Sequence, residues 1–197
     1  MTKQAKKEQA VPAYLEALKK KFGDQVLSVS QGIDMPVVTL AYGSIVEACH
    51  FLRQYGFDQL MDLCGVDLSE YPGHAADAPR FQVVYHLLSV EHNMRLRVKV
   101  PVNERDLVGS VVEVWPTANW FERECFDMYG ILFVNHPDLR RLLTDYGFEG
   151  HPLRKDFPLT GRVEMFYDDI QWRCVYKPNK LENRVLIPKT FPGVDRG

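Results

Sequence analysis

Apolar and polar positions alternate along this chain with two different periods, and the changes of period mark its elements. In residues 12 to 22, PAYLEALKKKF, the residues Tyr14, Leu15, Leu18 and Phe22 return every three or four positions with lysines opposite, the spacing of one buried helix face. Pro12 suits a first helical turn and Gly23 an end, so the pattern predicts a short helix closed at Gly23. Short apolar segments at 25 to 30 and 36 to 41 read as a hairpin-like pair of strands. Ser44 then stands where an N-cap belongs, ahead of a second helical stripe of Ile45, Cys49 and Leu52 that runs to Gly56.

The middle of the chain changes to a period of two. Segments 57 to 68, 80 to 90 and 93 to 101 read as strands, and in the last of them Met94, Leu96, Val98 and Val100 alternate with Arg95, Arg97 and Lys99. That alternation is the mark of an antiparallel strand with one wet face. Glu91-His92-Asn93 supplies a hairpin turn, and YPGHAADAP from 71 to 79 a flexible loop. From 103 to 129 helical spacing returns, with Leu107, Val111 and Val114 in one segment and Phe121, Cys125 and Met128 in another; Pro116 should divide the two. Runs of strands between helices, without strict alternation, predict an α+β fold: an antiparallel or mixed sheet flanked by helices.

Residues 1 to 135 are expected to form that compact domain, and residues 136 to 197 an extended, irregular arm that wraps a partner. The arm carries Pro152, Pro158, Pro178, Pro188 and Pro192 and no helical stripe, yet also Phe157, Phe166, Tyr167, Trp172, Tyr176 and Phe191. It is too aromatic for a disordered segment and too proline-rich to make a core alone, so it should lie on another surface.

Composition narrows the partners and the chemistry. At 197 residues and 46% apolar content the chain can build one substantial domain without disulfide or metal staples. A formal charge of -2 and a pI near 6.3 give no electrostatic case for nucleic acid or an anionic membrane surface. The basic N-terminal stretch lacks the apolar run of a secretory signal, and no membrane-spanning length of apolar residues occurs, so a membrane would be reached only through another protein. Cys49, Cys64, Cys125 and Cys174 form no C-x-x-C pair and read as reduced structural thiols of a cytosolic compartment. The six histidines include no H-x-x-x-H or H-E-x-x-H spacing, and no Gly-rich phosphate loop of either common type is present, so no metal, cluster or nucleotide site is expected in this chain.

Information is densest in Trp120-Phe121-Glu122-Arg123-Glu124-Cys125-Phe126-Asp127-Met128-Tyr129-Gly130 and the following His136-Pro137-Asp138-Leu139-Arg140-Arg141-Leu142-Leu143. On a helix Arg123 and Asp127 are i,i+4 neighbours, with Glu122 and Glu124 to either side. One reading is a solvated ion-pair face, worth only about 0 to 1 kcal/mol per pair. The other is that Glu122, Arg123, Glu124 and Asp127 meet charges on a partner, where losing one member of a desolvated pair costs roughly 2 to 5 kcal/mol. Glu122 and Glu124 diverge on a helix and are poorly placed to serve one substrate as acid and base. His136 before Pro137 reads as a turn residue bonded to backbone. Arg140, Arg141, Arg154 and Lys155, interleaved with Asp138, Asp145, Glu149 and Asp156, should anchor the arm through local and intersubunit pairs. Trp115 and Trp120 read as core or interface aromatics.

These same residues resemble the signature of the 30 kDa subunit family of respiratory NADH:quinone oxidoreductase, complex I. Its pattern is matched by Glu122-Arg123-Glu124, Asp127, Met128-Tyr129, His136, Arg140 and Leu142-Leu143, and a second block by Gly150-His151-Pro152-Leu153-Arg154-Lys155-Asp156-Phe157-Pro158-Leu159. The likeness runs more loosely from about residue 57 to 176; Lys177 departs from the acidic or amide residue expected before Pro178. The resemblance implies a non-catalytic subunit of the hydrophilic arm, peripheral on the cytoplasmic side of a bacterial inner membrane and packed against the 49 kDa-type subunit. The complex passes electrons from NADH through FMN and iron–sulfur clusters to quinone while translocating protons, and those cofactors belong to partner subunits. Interface roles are implied for Glu122, Arg123, Glu124, Asp127, His136, Arg140, Arg141, Arg154, Lys155, Asp156 and Phe157. Two other readings stay open: the equivalent subunit of a related membrane-bound hydrogenase or dehydrogenase complex, and a free-standing soluble enzyme using Glu122, Glu124 and His136.

Overall fold

The computed structural model describes residues 12–75 and 77–181. The first helix, α1 (Ala13–Phe22), buries the expected stripe of Tyr14, Leu15, Leu18 and Phe22, and Gly23 closes it by donating its N–H to Lys19 at a positive φ. Strands β1 (Val26–Gln31) and β2 (Pro36–Leu40) pair antiparallel, as their spacing predicts. Helix α2 (Ile45–Gln54) follows, burying Ile45, Ala48, Cys49 and Leu52. Ser44 occupies its N-cap position but does not cap: the hydroxyl donates backwards to the Ala41 carbonyl at 3.0 Å, closing a preceding 3-10 turn instead.

Strands β3 (Gln59–Asp67), β4 (Phe81–Ser89) and β5 (Met94–Val102) form an antiparallel meander, and β5 adds β2 in parallel, giving the order β1-β2-β5-β4-β3. The mixed sheet follows from period-two patterning. Phe81, Val83, Tyr85 and Leu87 of β4 stand opposite Val102, Val100, Val98 and Leu96 of β5, and these share one buried cluster with the stripes of α1 and α2. The intervening residues make the wet face, where Arg97 bonds His86 at 2.9 Å and Asp34 at 3.0 Å. The β4–β5 turn falls where expected and takes Asn93 into positive φ.

The helix expected over 103 to 115 is absent. Residues Leu107–Gly109 are a strand, β6, and turns occupy the stretch up to α3 (Ala118–Tyr129). The spacing of Leu107, Val111 and Val114 imitates a helix, but β6 finds a parallel partner in β7 (Leu132–Val134), a pairing that no local pattern announces. Pro116 does separate the two segments. Helix α3 packs so tightly on β3 that a methyl group on Gly65 would lie 2.6 Å from Cδ2 of Tyr129.

The chain divides into two compact units at Lys155/Asp156. Residues 136 to 155 belong to the first unit because their backbone is bonded to side chains of α3 and β3. In the second unit β8 (Val163–Asp168) and β9 (Arg173–Pro178) form an antiparallel hairpin within the stretch expected to be irregular. Asp168 folds its turn by accepting the N–H groups of Ile170 and Gln171, and Lys177 pairs across it with Glu164 at 2.8 Å. Pro188, Phe191 and Pro192 lie outside the described residues. Among the described residues no helix is long and apolar enough to cross a membrane.

Candidate functional site

Three charged side chains expected to face outwards organise a polar cluster inside the first unit. Glu122 and Asp127 are 0% exposed, and Arg123 is also buried. The arrangement has a simple cause. Helix α3 buries Ala118, Cys125 and Met128 on its apolar side, and Arg123 and Asp127 on the other side are buried too, so the helix is covered on more than one side. The segment after β7 covers it, and its backbone polar groups have to be satisfied where they are buried.

Asp127 does most of this. Its Oδ2 accepts the N–H groups of Leu142, Leu143 and Thr144 at 3.0, 2.7 and 2.9 Å, and Oδ1 accepts the Thr144 hydroxyl at 2.5 Å and Nη1 of Arg141 at 2.8 Å. Burial alone would raise its pKa, but the Thr144, Arg141 and Leu142 donors outweigh it and hold the carboxyl well below the usual range. Arg141 also donates to the Gly150 carbonyl at 3.0 Å and lies over the Phe148 ring, which folds residues 144 to 150 around it. Arg123 does not pair with Asp127 as i,i+4 spacing suggested. Its guanidinium donates to the carbonyls of Arg140 and Arg141 at 3.3 and 3.2 Å and lies over Trp120.

The second motif caps the end of α3. A helix leaves its last four carbonyls without partners. Here the carbonyl of Phe126 accepts the N–H of Gly130, that of Asp127 accepts Nδ1–H of His151, that of Met128 accepts the N–H of Leu153, and that of Tyr129 accepts Nε of Arg154. Gly130 is required twice over, by a left-handed φ of 77° and because a Cβ there would sit 2.6 Å from Nε2 of His151. One residue later, the Lys155 N–H donates to Oδ2 of Asp67 at 2.9 Å, beside the Arg80 guanidinium and the Ser69 N–H. Burial pushes the Asp67 pKa up, but these donors prevail and depress it. Arg80 and Arg154 share Glu104 and flank the Phe81 ring.

The structure thus draws Glu122, Arg123, Asp127, His136, Arg141 and Arg154 together inside the unit. Glu124, Arg140 and Lys155 keep exposed side chains: Arg140 pairs locally with Asp138 at 2.7 Å, and Lys155 contributes its backbone N–H to the cluster. Asp156 and Phe157 begin the second unit. His136 is bonded to backbone as expected, with Nδ1 accepting the Asp138 N–H at 3.0 Å and Nε2 facing the Asn119 carbonyl at 3.3 Å. Missed in the sequence were Thr144 and Ser110, whose hydroxyls donate to the Asp127 and Glu122 carboxylates, and Asp67, which accepts the distant Lys155 N–H; each pairs with a residue far along the chain, which no local pattern announces. Trp115 is buried and Trp120 is 61% exposed. Cys49 and Cys125 are buried and burial pushes both thiols up, away from the thiolate form that binds metal. Among the described residues no group of three or more His, Cys, Asp or Glu side chains could hold a metal ion.

Since Arg123 is consumed inside its own chain, Arg123→Ala should destabilise the isolated protein. Losing two charge-assisted bonds to carbonyls costs about 2 kcal/mol, or a melting temperature lower by roughly 5 °C. An unchanged melting curve would mean that the guanidinium faces elsewhere.

A small mixed sheet, one capping helix and a buried polar cluster built from two sequence motifs define a chain whose specialised residues fix its own shape. The model of the respiratory-chain NADH dehydrogenase 30 kDa subunit matches residues 38–163, and the chain belongs to that family. Among curated relatives, an NADH-quinone oxidoreductase subunit from Coxiella burnetii is 45% identical over 90% of this chain and 91% of its own length. The corresponding relative from Acidithiobacillus ferrooxidans is 56% identical over 81% of each. Of solved structures, the trypsin-resistant fragment (1-134) of Nqo5 is 32% identical with a TM-score of 0.56, covering 64% of this chain and 99% of that one. A chain of an archaeal membrane-bound sulfane sulfur reductase shares the fold at 20% identity and a TM-score of 0.59, over 74% of this chain and 84% of its own.

Proposed function

We propose that this chain is a non-catalytic scaffold subunit of the peripheral arm of a proton-translocating NADH:quinone oxidoreductase, on the cytoplasmic side of a bacterial inner membrane. It supports the 49 kDa-type subunit while electrons pass from NADH through FMN and iron–sulfur clusters, all held by other subunits, to quinone. The observation that carries this reading is the direction in which the motif residues point. The charges of Arg123, Asp127 and Arg141 are spent inside, tying down residues 140 to 150, while Leu143 and Tyr146 of the same segment are 64% and 83% exposed. A rigid loop presenting large apolar side chains suits a protein interface.

Glu124, Arg140, Lys155, Asp156 and Phe157 remain the motif residues assigned to contact with partner subunits. The β8–β9 hairpin adds Met165, Phe166, Tyr167, Ile170, Trp172 and Tyr176, all exposed. A lone two-stranded hairpin is marginally stable in water, so it serves best as a docking arm held by a partner.

Leu143→Asp combined with Tyr146→Asp tests the assignment. The isolated chain should melt as the parent does, because neither side chain is packed, while membranes from cells carrying the variant should show a several-fold loss of assembled complex on a native gel and of NADH:quinone activity. Normal assembly would remove this loop from the interface.

The shared fold of the sulfane sulfur reductase chain keeps an equivalent place in a related membrane complex as a second reading. The 45 to 56% identities to quinone oxidoreductase subunits favour the first. Partners that co-purify after mild detergent extraction decide, a nickel–iron subunit supporting the second. The free-standing enzyme is disfavoured by geometry: the Glu122 carboxyl is fully enclosed and Glu124 points to solvent, so the two serve no common substrate.

A further inference from the structure

Glu122 differs from the other buried acids of the cluster in its partners. Its Oε2 accepts the Ser110 hydroxyl at 2.6 Å and Oε1 the Val111 N–H at 2.7 Å. These two residues form the turn that leaves β6, so the carboxyl ties that turn to α3. Among the described residues the one potential cation within 4.0 Å is His136, which follows β7, with its Nε2 at that distance from Oε2. His136 is not bonded to the carboxyl: its Nδ1 accepts the Asp138 N–H at 3.0 Å and its Nε2 faces the Asn119 carbonyl at 3.3 Å, so backbone groups engage both ring nitrogens.

The remaining elements packed around the carboxyl offer no compensation either. Cys49 of α2, Tyr85 of β4 and Cys125 of α3 all feel its charge, and burial pushes each of them towards its uncharged, protonated form. The neighbouring Arg123 guanidinium is turned to the carbonyls of Arg140 and Arg141. The two neutral donors favour the carboxylate, but with no cation bonded to it and full removal from water, burial outweighs them and the uncharged acid is favoured.

We propose that Glu122 is a proton-sensitive latch: as the uncharged acid it holds the β6 turn to α3 beside His136, and on ionisation it loosens that junction. The latch is independent of the protein's assembly role and adds a pH response to the fold itself. Burial raises the Glu122 pKa to about 7, against the Ser110 and Val111 bonds that lower it. With the folded value above the unfolded one, the latch contributes fully below the ordinary carboxyl range near 4.5. Its contribution is lost as pH rises towards 7, after which the loss is complete.

Two measurements on the full-length chain test this. In the parent protein, the carboxyl carbon of isotopically labelled Glu122 should titrate near neutrality. The protection factor of the Val111 amide, corrected for intrinsic exchange, should fall by roughly tenfold per pH unit between 4.5 and 7. Glu122→Gln, which keeps the shape and removes the charge, should abolish that dependence and leave Val111 protected throughout. A Glu122 carboxyl that titrates at its ordinary value, or Val111 protection with the same pH profile in parent and variant, overturns the proposal. The carboxyl titration needs only the parent protein and decides the matter even if the glutamine variant fails to fold.

Discussion

Asp127→Ala is expected to be the most damaging single substitution in the first unit, costing about 3 to 5 kcal/mol and lowering the melting temperature by roughly 10 °C or more. The reason is the number of groups left behind. Truncation strands the N–H groups of Leu142, Leu143 and Thr144, the Thr144 hydroxyl and one arm of Arg141, and the carboxylate they lose is itself fully buried. Removing one partner of a buried charged cluster is much worse than removing both. Asp127→Asn should recover part of the loss, since an amide oxygen still accepts N–H groups while its NH2 must face a donor. The damage should be local, with hydrogen exchange accelerating most across 141 to 150 and at the end of α3 and least in β4 and β5. Calorimetry and exchange mass spectrometry on the isolated chain check this, and a variant that melts within about 1 kcal/mol of the parent would mean that the motif loop bonds to something other than Asp127.

Acid should open the same region by a second route. The depressed pKa values of Asp67 and Asp127 make their contribution to stability full above the unfolded carboxyl range, near pH 4. That contribution drains away as pH falls through it towards the folded values, because the unfolded chain then binds more protons than the folded one. The expected outcome is a melting temperature that drops steeply below about pH 4, with a slope that Asp127→Asn makes shallower by up to one proton. Asp67→Asn should do the same, and its effect should centre on residues 154 and 155, whose backbone it secures through the Lys155 N–H. If both asparagine variants kept the parent's acid slope, the two carboxylates would not be the groups that sense it.

The elements that repeat locally were legible in the sequence. The stripe of α1, the alternation of β5 and the turn at Asn93 depend on neighbours within a few residues, and each stands as its pattern suggested. What the pattern misread depends on distant partners. Leu107, Val111 and Val114 have helical spacing, yet β6 exists because β7 lies beside it. Met165, Tyr167 and Tyr176 sit in a hairpin that the flanking prolines obscured. Glu122, Arg123 and Asp127 looked like an outward charge lattice because side chains were matched only with side chains. Their real partners are mostly backbone N–H and carbonyl groups, which every residue carries and no motif spells out. The available clue was Glu122, which at helical spacing falls between Phe126 and Tyr129 on the apolar side of α3. Within the family motif, Glu122, Arg123 and Asp127 point inwards, where the spacing suggested an outward face.

The end of α3 is completed by residues far along the chain, Arg154 reaching back 25 positions to the Tyr129 carbonyl. At about 5 to 20 residues per second, a ribosome needs roughly one to five seconds to make that interval. Throughout it the helix is already synthesised but its Tyr129 carbonyl lacks its Arg154 partner, and until Thr144 is made Asp127 lacks its full set of donors. Folding of this protein therefore has a built-in order: the sheet can form first, the helix docks provisionally, and the loop that presents Leu143 and Tyr146 is set only when the second motif has emerged. A nascent chain halted before Leu142 would carry the sheet without its presenting loop, and so could not engage a partner prematurely through that surface.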